Sequence, residues 1–331
     1  MKKALAVTLL TAFILFFPKV TSHAQTLMLT ISTDKSPYFT GSMVTIYGNL
    51  TKDSQPVSGA LVGIHVKSPT KTIVIRTVQT QPSAINYNTI YVWNVIPCDV
   101  NGNPQNSFAK NNLAYFKVNI TNFSPENLNP SITVNIFDMN QIPLGFASGT
   151  MLVPPEHLQQ YSIILGIPIP TFAASGNATA YAGAFSSFPD QNGTPYSAEK
   201  NATFQIAGGS LSATSLTTPN TPSVNIDITA NGTYSLTFKM HPFTETGTYA
   251  VNATTQWENQ TTTASTAFIV YMTGDLNQDG SVDSTDLGIL GVAWGAASGG
   301  PNWNPICDIY EDGAIDSSDL GILGVHWGYA S

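Results

Sequence analysis

The sequence predicts a mainly β protein in which two β-sandwiches precede a small α-helical module at the C-terminus. Three observations predict this architecture. Short runs of alternating apolar and polar residues, the period of a half-buried strand, recur from residue 27 to residue 272. Clusters of Gly, Pro, Asn and Asp, which favour turns, separate these runs. From Met272 onward the pattern changes to an acidic loop followed by an apolar segment, and this unit occurs twice.

The N-terminus has the layout of a secretory signal peptide. Two lysines precede an apolar run over residues 4–17, and small residues favour cleavage before Gln25. The alternative, a membrane anchor, needs about 20 apolar residues, more than this run supplies. We therefore expect residues 1–24 to be removed, the protein to be secreted or held at the cell surface, and no transmembrane segment to follow.

The composition also favours an extracellular β protein. Only 10% of the residues are charged, against about 25% in an ordinary globular protein, so Thr, Ser, Asn and Gln must form much of the surface. The two cysteines, Cys98 and Cys307, lie in different regions, and a bridge between them is not favoured. We expect no nucleic-acid partner. Nine Asn-x-Ser/Thr sequons make glycosylation a hypothesis: Asn49, Asn119, Asn122, Asn177, Asn192, Asn201, Asn231, Asn252 and Asn259.

Thirteen strand-like runs fill the part of the chain before the acidic loops. Runs of this length at this spacing indicate antiparallel β-sandwiches. They are residues 27–33, 43–51, 60–66, 72–78, 89–96, 113–121, 131–138, 160–167, 177–185, 201–207, 233–240, 248–257 and 266–272.

The first part of this region resembles a known family. DKSPYFTGSMVTIYGNLTKDSQPVSGALVGIHV (34–66) has the Tyr-x-x-Gly-x-x-Val-x-Ile opening and the Gln-Pro-Val turn of a macroglobulin-type, immunoglobulin-like domain. Such a domain normally ends with a Gly-Thr-Tyr strand, and here that tripeptide occurs only at 232–234 and 247–249. The resemblance therefore implies an immunoglobulin-like sandwich whose two parts are far apart in the sequence.

The domain organisation follows from that separation. We expect residues 25–82 and 207–271 to form one sandwich, residues 83–206 to form a second sandwich inserted into it, and residues 272–331 to form the C-terminal module. The alternative is three sandwiches in series. In that case residues 207–271 alone would make a small sheet with exposed edges.

The first acidic loop, DLNQDGSVDSTD (275–286), has the spacing of a 12-residue calcium loop. Calcium takes 6–8 oxygen ligands, and one loop gathers them by turning alternate side chains inward around a sharp bend, here at Gly280. The expected side-chain ligands are Asp275, Asn277, Asp279, Asp283 and Asp286, with the backbone oxygen of Ser281.

The second loop, DIYEDGAIDSSD (308–319), repeats the pattern with one departure. Tyr310 occupies the third position and has no carboxylate or amide oxygen, so the site is expected to bind more weakly unless water or Glu311 compensates. The expected ligands are Asp308, Asp312, Asp316 and Asp319, with the backbone oxygen of Ala314.

Each loop runs into the same segment, DLGILGVxWG, at 286–295 and 319–328. Two loop–helix copies in register resemble a dockerin type I module, over roughly residues 273–328. The resemblance implies two bound Ca²⁺ ions, a cohesin-like surface protein as partner, and partner contacts from loop positions 10 and 11. Those positions are Ser284, Thr285, Ser317 and Ser318. Unlike typical dockerin helices, these helices carry glycines in place of basic residues.

The charge distribution supports a cation. Residues 272–331 hold eight Asp, one Glu and no Lys or Arg. Carboxylates concentrated in two loops without basic neighbours repel one another and disfavour a compact fold unless a cation binds.

No catalytic pattern stands out in the sequence. The histidines are scattered, and motifs such as GxSxG and HExxH are absent. The leading hypothesis is a non-enzymatic protein whose sandwiches act as spacers or adhesive domains and whose tail docks in the presence of calcium. The alternative is a carbohydrate-binding component of an extracellular polysaccharide-degrading assembly, with residues 83–206 as the binding module. Enzymatic hydrolysis ranks third.

Overall fold

The computed structural model describes residues 26–80, 89–155, 159–208 and 232–330. Within these ranges it contains two α-helices, α1 (Ser284–Ala293) and α2 (Ser317–Val325), and a short 3-10 helix at Pro189–Gln191. The expected signal peptide and the sequon at Asn231 lie outside the described residues. The strands are β1 (Leu27–Leu29), β2 (Ser32–Thr33), β3 (Tyr38–Phe39), β4 (Met43–Lys52), β5 (Gln55–Pro56), β6 (Leu61–Lys67), β7 (Thr72–Gln79), β8 (Ile90–Cys98), β9 (Ser107–Ala109), β10 (Leu113–Asn122), β11 (Ser131–Phe137), β12 (Pro143–Thr150), β13 (Tyr161–Pro168), β14 (Gly176–Phe185), β15 (Lys200–Ala207), β16 (Thr233–Lys239), β17 (Gly247–Trp257) and β18 (Gln260–Tyr271).

The first pair of sheets joins the beginning of the chain to the strands just before the acidic loops. One sheet has the order β1-β4-β16, with β2 and β5 also paired to β4, and the other has the order β3-β18-β17-β6-β7. Their facing sides bury a shared apolar core that includes Val44, Ile64, Phe238, Tyr249 and Phe268. We call this unit the first sandwich.

The second pair of sheets uses only the strands in between. One sheet has the order β13-β10-β8 and the other has the order β12-β11-β14-β15-β9. Between them lies a separate core that includes Val92, Phe116, Val134, Ile167 and Phe204. We call this unit the second sandwich. The mainly β fold class with a C-terminal helical module is confirmed.

The pairing of β4 with β16 joins strands that are almost 190 residues apart in sequence, with Tyr47 opposite Ser235 and Ile46 opposite Leu236. This register and the two separate cores support the division into a split sandwich and an inserted one. The boundaries at residues 82, 206 and 271 stay a prediction, because residues 81–88 and 209–231 lie outside the described ranges.

Two strands of the second sandwich, the three-residue β9 and the longer β12, were missing from the sequence interpretation. β12 contains Pro143, Gly145 and Gly149, which are uncommon inside strands. The packing explains the glycines, because a Cβ at Gly145 would lie 2.5 Å from Ile167 Cγ2 and one at Gly149 would lie 2.8 Å from Ile163 Cδ1. Glycine is therefore required where the facing sheet approaches β12 closely. Because glycine is unfavourable in strands, strand propensity alone does not predict β12.

The two sandwiches meet at a buried ion pair. Arg76 on β7 is 5% exposed, and its Nε lies 3.0 Å and 2.9 Å from the two carboxylate oxygens of Glu199, next to β15. Its guanidinium carbon also lies 3.4 Å from the ring centroid of Tyr181 on β14. Burial lowers the pKa of Arg76, but the Glu199 carboxylate outweighs burial and leaves that pKa raised, so the guanidinium stays charged. The side chain of Asn135 on β11 adds hydrogen bonds to the backbone of Ile75.

Candidate metal centre

The two helices begin at the acidic residues that the sequence assigns to loop positions 9 and 12. Before α1, the Asp283 carboxylate accepts a hydrogen bond from Thr285 N at 2.7 Å, and Asp286 accepts one from Asp283 N at 2.8 Å. This reciprocal arrangement is a capping box, which fixes both carboxylates relative to the first helical turn. α2 begins in the same way. The Asp316 carboxylate accepts a hydrogen bond from Ser318 N at 2.7 Å, and the Asp319 carboxylate accepts one from Asp316 N at 2.8 Å.

The first residue of each loop is held by the backbone of the bend. Asp275 accepts hydrogen bonds from Asp279 N at 3.1 Å and Gly280 N at 3.0 Å. The bend itself needs a positive φ, which is 88° at Gly280, in the region that glycine adopts without a steric cost. In the second loop, Asp308 accepts the equivalent hydrogen bonds from Asp312 N and Gly313 N, both at 3.1 Å. Gly313 has a φ of 85°.

The middle of the loops shows where the two copies differ. Asp279 accepts from Ser281 N at 2.9 Å, and Asn277 donates its amide to Asp279 at 2.7 Å. In the second loop Asp312 accepts from Ala314 N at 3.0 Å. Tyr310 takes the place of Asn277, and 59% of its surface is exposed. The second loop therefore lacks the third-position oxygen, as expected.

The carboxylates at position 12 also have a structural function that the sequence interpretation missed. Asp286 is fully buried, and it accepts hydrogen bonds from Leu276 N at 2.6 Å and Asn277 N at 3.1 Å in addition to its helix cap. Asp319 is equally buried and accepts from Tyr310 N at 2.9 Å. Each carboxylate thus ties the start of its loop to the start of its helix.

The donor set fits calcium chemically. Each ionised carboxylate has about four lone-pair sites, so one that accepts two or three backbone N–H bonds can still coordinate a cation. Burial, and then the neighbouring Asp286, raises the pKa of Asp275 above its ordinary value, although backbone donors such as Gly280 N lower it. A cation would relieve this cost of burying like charges. Within the described ranges, no three or more His, Cys, Asp and Glu side chains form a group that could hold a metal ion, so the ligand assignments stay a prediction.

Glu311 does not compensate for Tyr310 in this structure. Its carboxylate forms an ion pair with Lys35 of the first sandwich. The second loop thereby gains a cross-domain contact in place of a fifth ligand side chain. The weaker affinity of this site stays a prediction.

The helices expose matching apolar faces. Leu287 and Leu320 are 41% and 39% exposed, and Val292 and Val325 are 79% and 72% exposed. Trp294 and Trp327 end the two faces at 49% and 48% exposed. The glycines between them, Gly288, Gly291, Gly321 and Gly324, have open space where a Cβ would be. The opposite faces pack Leu290 and Leu323 into a small core of the module.

The expected partner residues lie at the start of these faces. Ser284, Thr285 and Ser317 are exposed and Ser318 is partly buried. The two helices therefore present nearly the same surface twice.

Outside the tail, a cluster of polar side chains surrounds His65. Its Nε2 lies 2.9 Å from Thr72 Oγ1 and its Nδ1 lies 3.2 Å from Asp190 Oδ1. The order Thr–His–Asp resembles a catalytic triad, but His65 is 1% exposed, and burial lowers its pKa despite Asp190. The cluster connects β6 to the second sandwich.

One expected glycosylation site is incompatible with the folded structure. Asn122 is fully buried, and its amide donates to Glu126 O at 2.7 Å and Val153 O at 2.8 Å. A glycan would replace one of the two hydrogens on this nitrogen and so remove one of these bonds, and the buried side chain leaves it no room. This sequon is therefore structural.

The loop geometry agrees with a comparison against family models, in which the dockerin type I model matches residues 273–325. Residues 273–325 form a dockerin type I domain. Dockerin type I domains bind calcium and dock onto cohesins, and the dockerin module itself is non-catalytic.

The β-rich region before the dockerin domain is similar to parts of larger solved structures. A β-glucuronidase from glycoside hydrolase family 2 is 9% identical with a TM-score of 0.22, and the match covers 51% of this chain and 24% of that one. An α-2-macroglobulin from Salmonella is 11% identical with a TM-score of 0.19, covering 73% and 23%. The E. coli α-2-macroglobulin is 9% identical with a TM-score of 0.22, covering 75% and 23%. The chain thus spans about a quarter of the length of each. No curated protein matches the sequence.

No helix in the described part of the chain is long and apolar enough to cross a membrane.

Proposed function

We propose that this protein is a secreted or cell-surface, non-enzymatic component that docks onto a cohesin-like protein when calcium is bound. Its two sandwiches serve as spacer or adhesion domains, and its dockerin domain provides the attachment. The observation that supports this most strongly is the duplicated exposed face, on which Val292 and Val325 are more than 70% exposed, because contiguous exposed apolar surface marks protein–protein interaction sites.

The proposed metal sites are those expected from the sequence. Asp275, Asn277, Asp279, Asp283 and Asp286 would bind one Ca²⁺ with the backbone oxygen of Ser281. Asp308, Asp312, Asp316, Asp319 and the backbone oxygen of Ala314 would bind a second Ca²⁺ more weakly, since Tyr310 contributes no ligand oxygen. Calcium would supply the positive charge that lets these carboxylates share a small buried volume.

The near-identity of the two faces supports two alternative docking modes. If either helix can face the partner, the association constant is the sum over two equivalent modes. Losing one mode then halves the association constant, a change of about 0.4 kcal/mol. Losing both modes removes binding.

The test introduces charge where it does not harm the helices. Ser284→Asp with Thr285→Asp changes one face, and Ser317→Asp with Ser318→Asp changes the other. Acidic residues are favourable in the first turn of a helix, so the domain should stay folded. We expect about a twofold loss of affinity for a cohesin-like partner from either pair, and complete loss from all four changes.

The measurement is capture of surface-extract proteins by the full chain, followed by calorimetric titration of the captured partner. A parallel sample with chelator is the control, and binding should disappear in it. Equal capture with and without chelator would contradict calcium-dependent docking, and complete loss from one pair would contradict two equivalent modes.

A further inference from the structure

A cleft of about 810 Å³ lies between the first sandwich and the dockerin domain. One wall is the turn 242–246 together with Thr70 and Lys71, and the other wall is the end of the chain at His326 and residues 328–330. Its volume lies within the range of about 300–1,000 Å³ that is usual for small-molecule sites. Neither half of the chain forms the cleft alone.

Exposed aromatic rings line the cleft. Phe243 is 71% exposed and Tyr329 is 40% exposed, and their ring centroids are 5.9 Å apart with the rings tilted by 50°. His241 lies behind Phe243 at 5.5 Å, and His326 lies beside Tyr329 at 5.5 Å. Adjacent exposed aromatic rings form contiguous apolar surface, and such surface rimmed by polar residues can mark a ligand-binding groove.

The cleft also contains polar groups whose charges nearly balance, beside the apolar Pro242, Met272 and Ala330. Glu245 accepts hydrogen bonds from Ser68 Oγ at 2.7 Å and Thr70 Oγ1 at 2.9 Å. The bond from Ser68 lowers the pKa of Glu245, so its carboxylate is an acceptor at neutral pH. Lys71 contributes one donor with the opposite charge. Thr244 and Thr246 add hydroxyls that both donate and accept.

His326 completes the polar set. Its Nδ1 lies 2.9 Å from Ile322 O, and because a carbonyl only accepts, this nitrogen carries the proton. Nε2 is the second polar atom of the ring.

We propose that this cleft binds a neutral oligosaccharide. A sugar ring offers one C–H face to pack on an aromatic ring and a rim of hydroxyls that donate and accept, which matches rings surrounded by Thr, Glu and Lys. A charged ligand fits less well, because one carboxylate and one ammonium leave no net charge to attract it. The site differs from the one the sequence suggested within residues 83–206, since Phe243 and Tyr329 lie in the first sandwich and the dockerin domain.

Such a ligand would couple the two domains. Tyr329 and His326 reach the cleft only when the dockerin domain is folded, so calcium would strengthen sugar binding, and sugar would strengthen calcium binding by the same factor. This coupling rests on the proposed calcium-dependent folding, whereas the binding itself does not require a cohesin-like partner.

The experiment is a titration of the full chain, by calorimetry and saturation-transfer NMR, with cello-, xylo-, manno- and chito-tetraose in the presence of calcium. We expect at least one of these sugars to bind. Phe243→Ala and Tyr329→Ala should each weaken that binding by about tenfold or more, because each removes a ring that the bound sugar would cover. Tyr47→Ala, which removes a 46% exposed ring on β4 outside the cleft, should leave affinity unchanged.

Several outcomes would overturn the proposal. Absence of binding to all four sugars would do so, as would equal binding by the two cleft variants and the wild type. A peptide or anionic sugar that binds in the cleft while neutral sugars do not would also overturn it. Because the purified chain is titrated alone, failure to find a cohesin-like partner leaves this result intact. Sugar binding that survives chelation while circular dichroism shows α1 and α2 unfolded would refute the contribution of Tyr329.

Discussion

Replacing Arg76 with alanine should destabilise the two sandwiches together. Arg76 and Glu199 have side chains that are 6% and 16% exposed, and Glu199 also accepts a hydrogen bond from Thr77 N at 3.1 Å. Removing the guanidinium leaves a buried carboxylate with one backbone donor. Breaking a buried pair in this way costs about 3–5 kcal/mol, and the lost contact with the Tyr181 face adds up to about 2 kcal/mol. We expect the free energy of unfolding to fall by about 4 kcal/mol.

The assay is urea denaturation followed by intrinsic fluorescence, at one pH and in excess calcium. Because Arg76 lies in the first sandwich and Glu199 in the second, the variant should also separate a single unfolding transition into two. Lys52→Ala is the matched control. It breaks an ion pair with Glu258 whose carboxylate side chain is 60% exposed, and a surface pair is worth about 0–1 kcal/mol.

A second variant separates the pair interaction from simple loss of a side chain. Arg76→Met combined with Glu199→Met replaces both charges with apolar groups of similar volume, a change that is often neutral or stabilising for buried pairs. We expect this double variant to unfold within about 1 kcal/mol of the wild type. If Arg76→Ala costs less than about 1 kcal/mol, the pair does not hold the sandwiches together and the reasoning is refuted.

Two predictions concern the dockerin domain. Calcium titration of the full chain should show one tighter and one weaker site. Asp275→Ala should abolish the tighter site and most of the increase in helical circular dichroism on adding calcium. Asp308→Ala should remove only the weaker site. Two sites of equal affinity would show that Tyr310 does not weaken calcium binding. In chelator, Asp275 has a higher pKa in the folded state than in the unfolded state, where it is about 3.9. The folded state is therefore stabilised below the unfolded-state pKa, and this stabilisation is lost as the pH rises through the folded-state pKa. With calcium, stability should rise with pH over the same range, and Asp275→Asn should flatten both profiles in thermal unfolding.

The sequence was most informative where a ligand dictates the spacing. Calcium requires oxygens at alternating positions around a bend, so Asp275 and Gly280 can be placed in a loop without a fold, and their repetition at Asp308 and Gly313 makes the pattern specific. Alternation along strands similarly predicted most of the β elements. β12 was not predicted, because the close approach of Ile167 requires a glycine at position 145 and glycine has a low strand propensity.

Long-range partners were beyond prediction from the sequence. The pairing of Lys35 with Glu311 joins residues 276 positions apart, and no local pattern marks either as the other's partner. The same holds for the cleft, since Phe243 follows a proline in an ordinary turn and Tyr329 follows the second repeat. Asn122 fits its sequon perfectly in sequence, and only the fold reveals that its amide is already bonded on both sides.

The contacts between the dockerin domain and the first sandwich bear on how the proposed docking would work. β18 ends at Tyr271 and the first calcium loop begins at Asp275, so no flexible linker separates them. Thr273 Oγ1 donates to Thr40 O at 2.7 Å, and Glu311 and Tyr329 add contacts with Lys35 and Phe243. A flexible tether lets a docked protein sample many orientations, whereas these three contacts fix both helical faces relative to the sandwiches. A partner bound to α1 or to α2 would therefore hold the sandwiches in two distinct orientations, and the choice of helix would set the direction in which the protein projects.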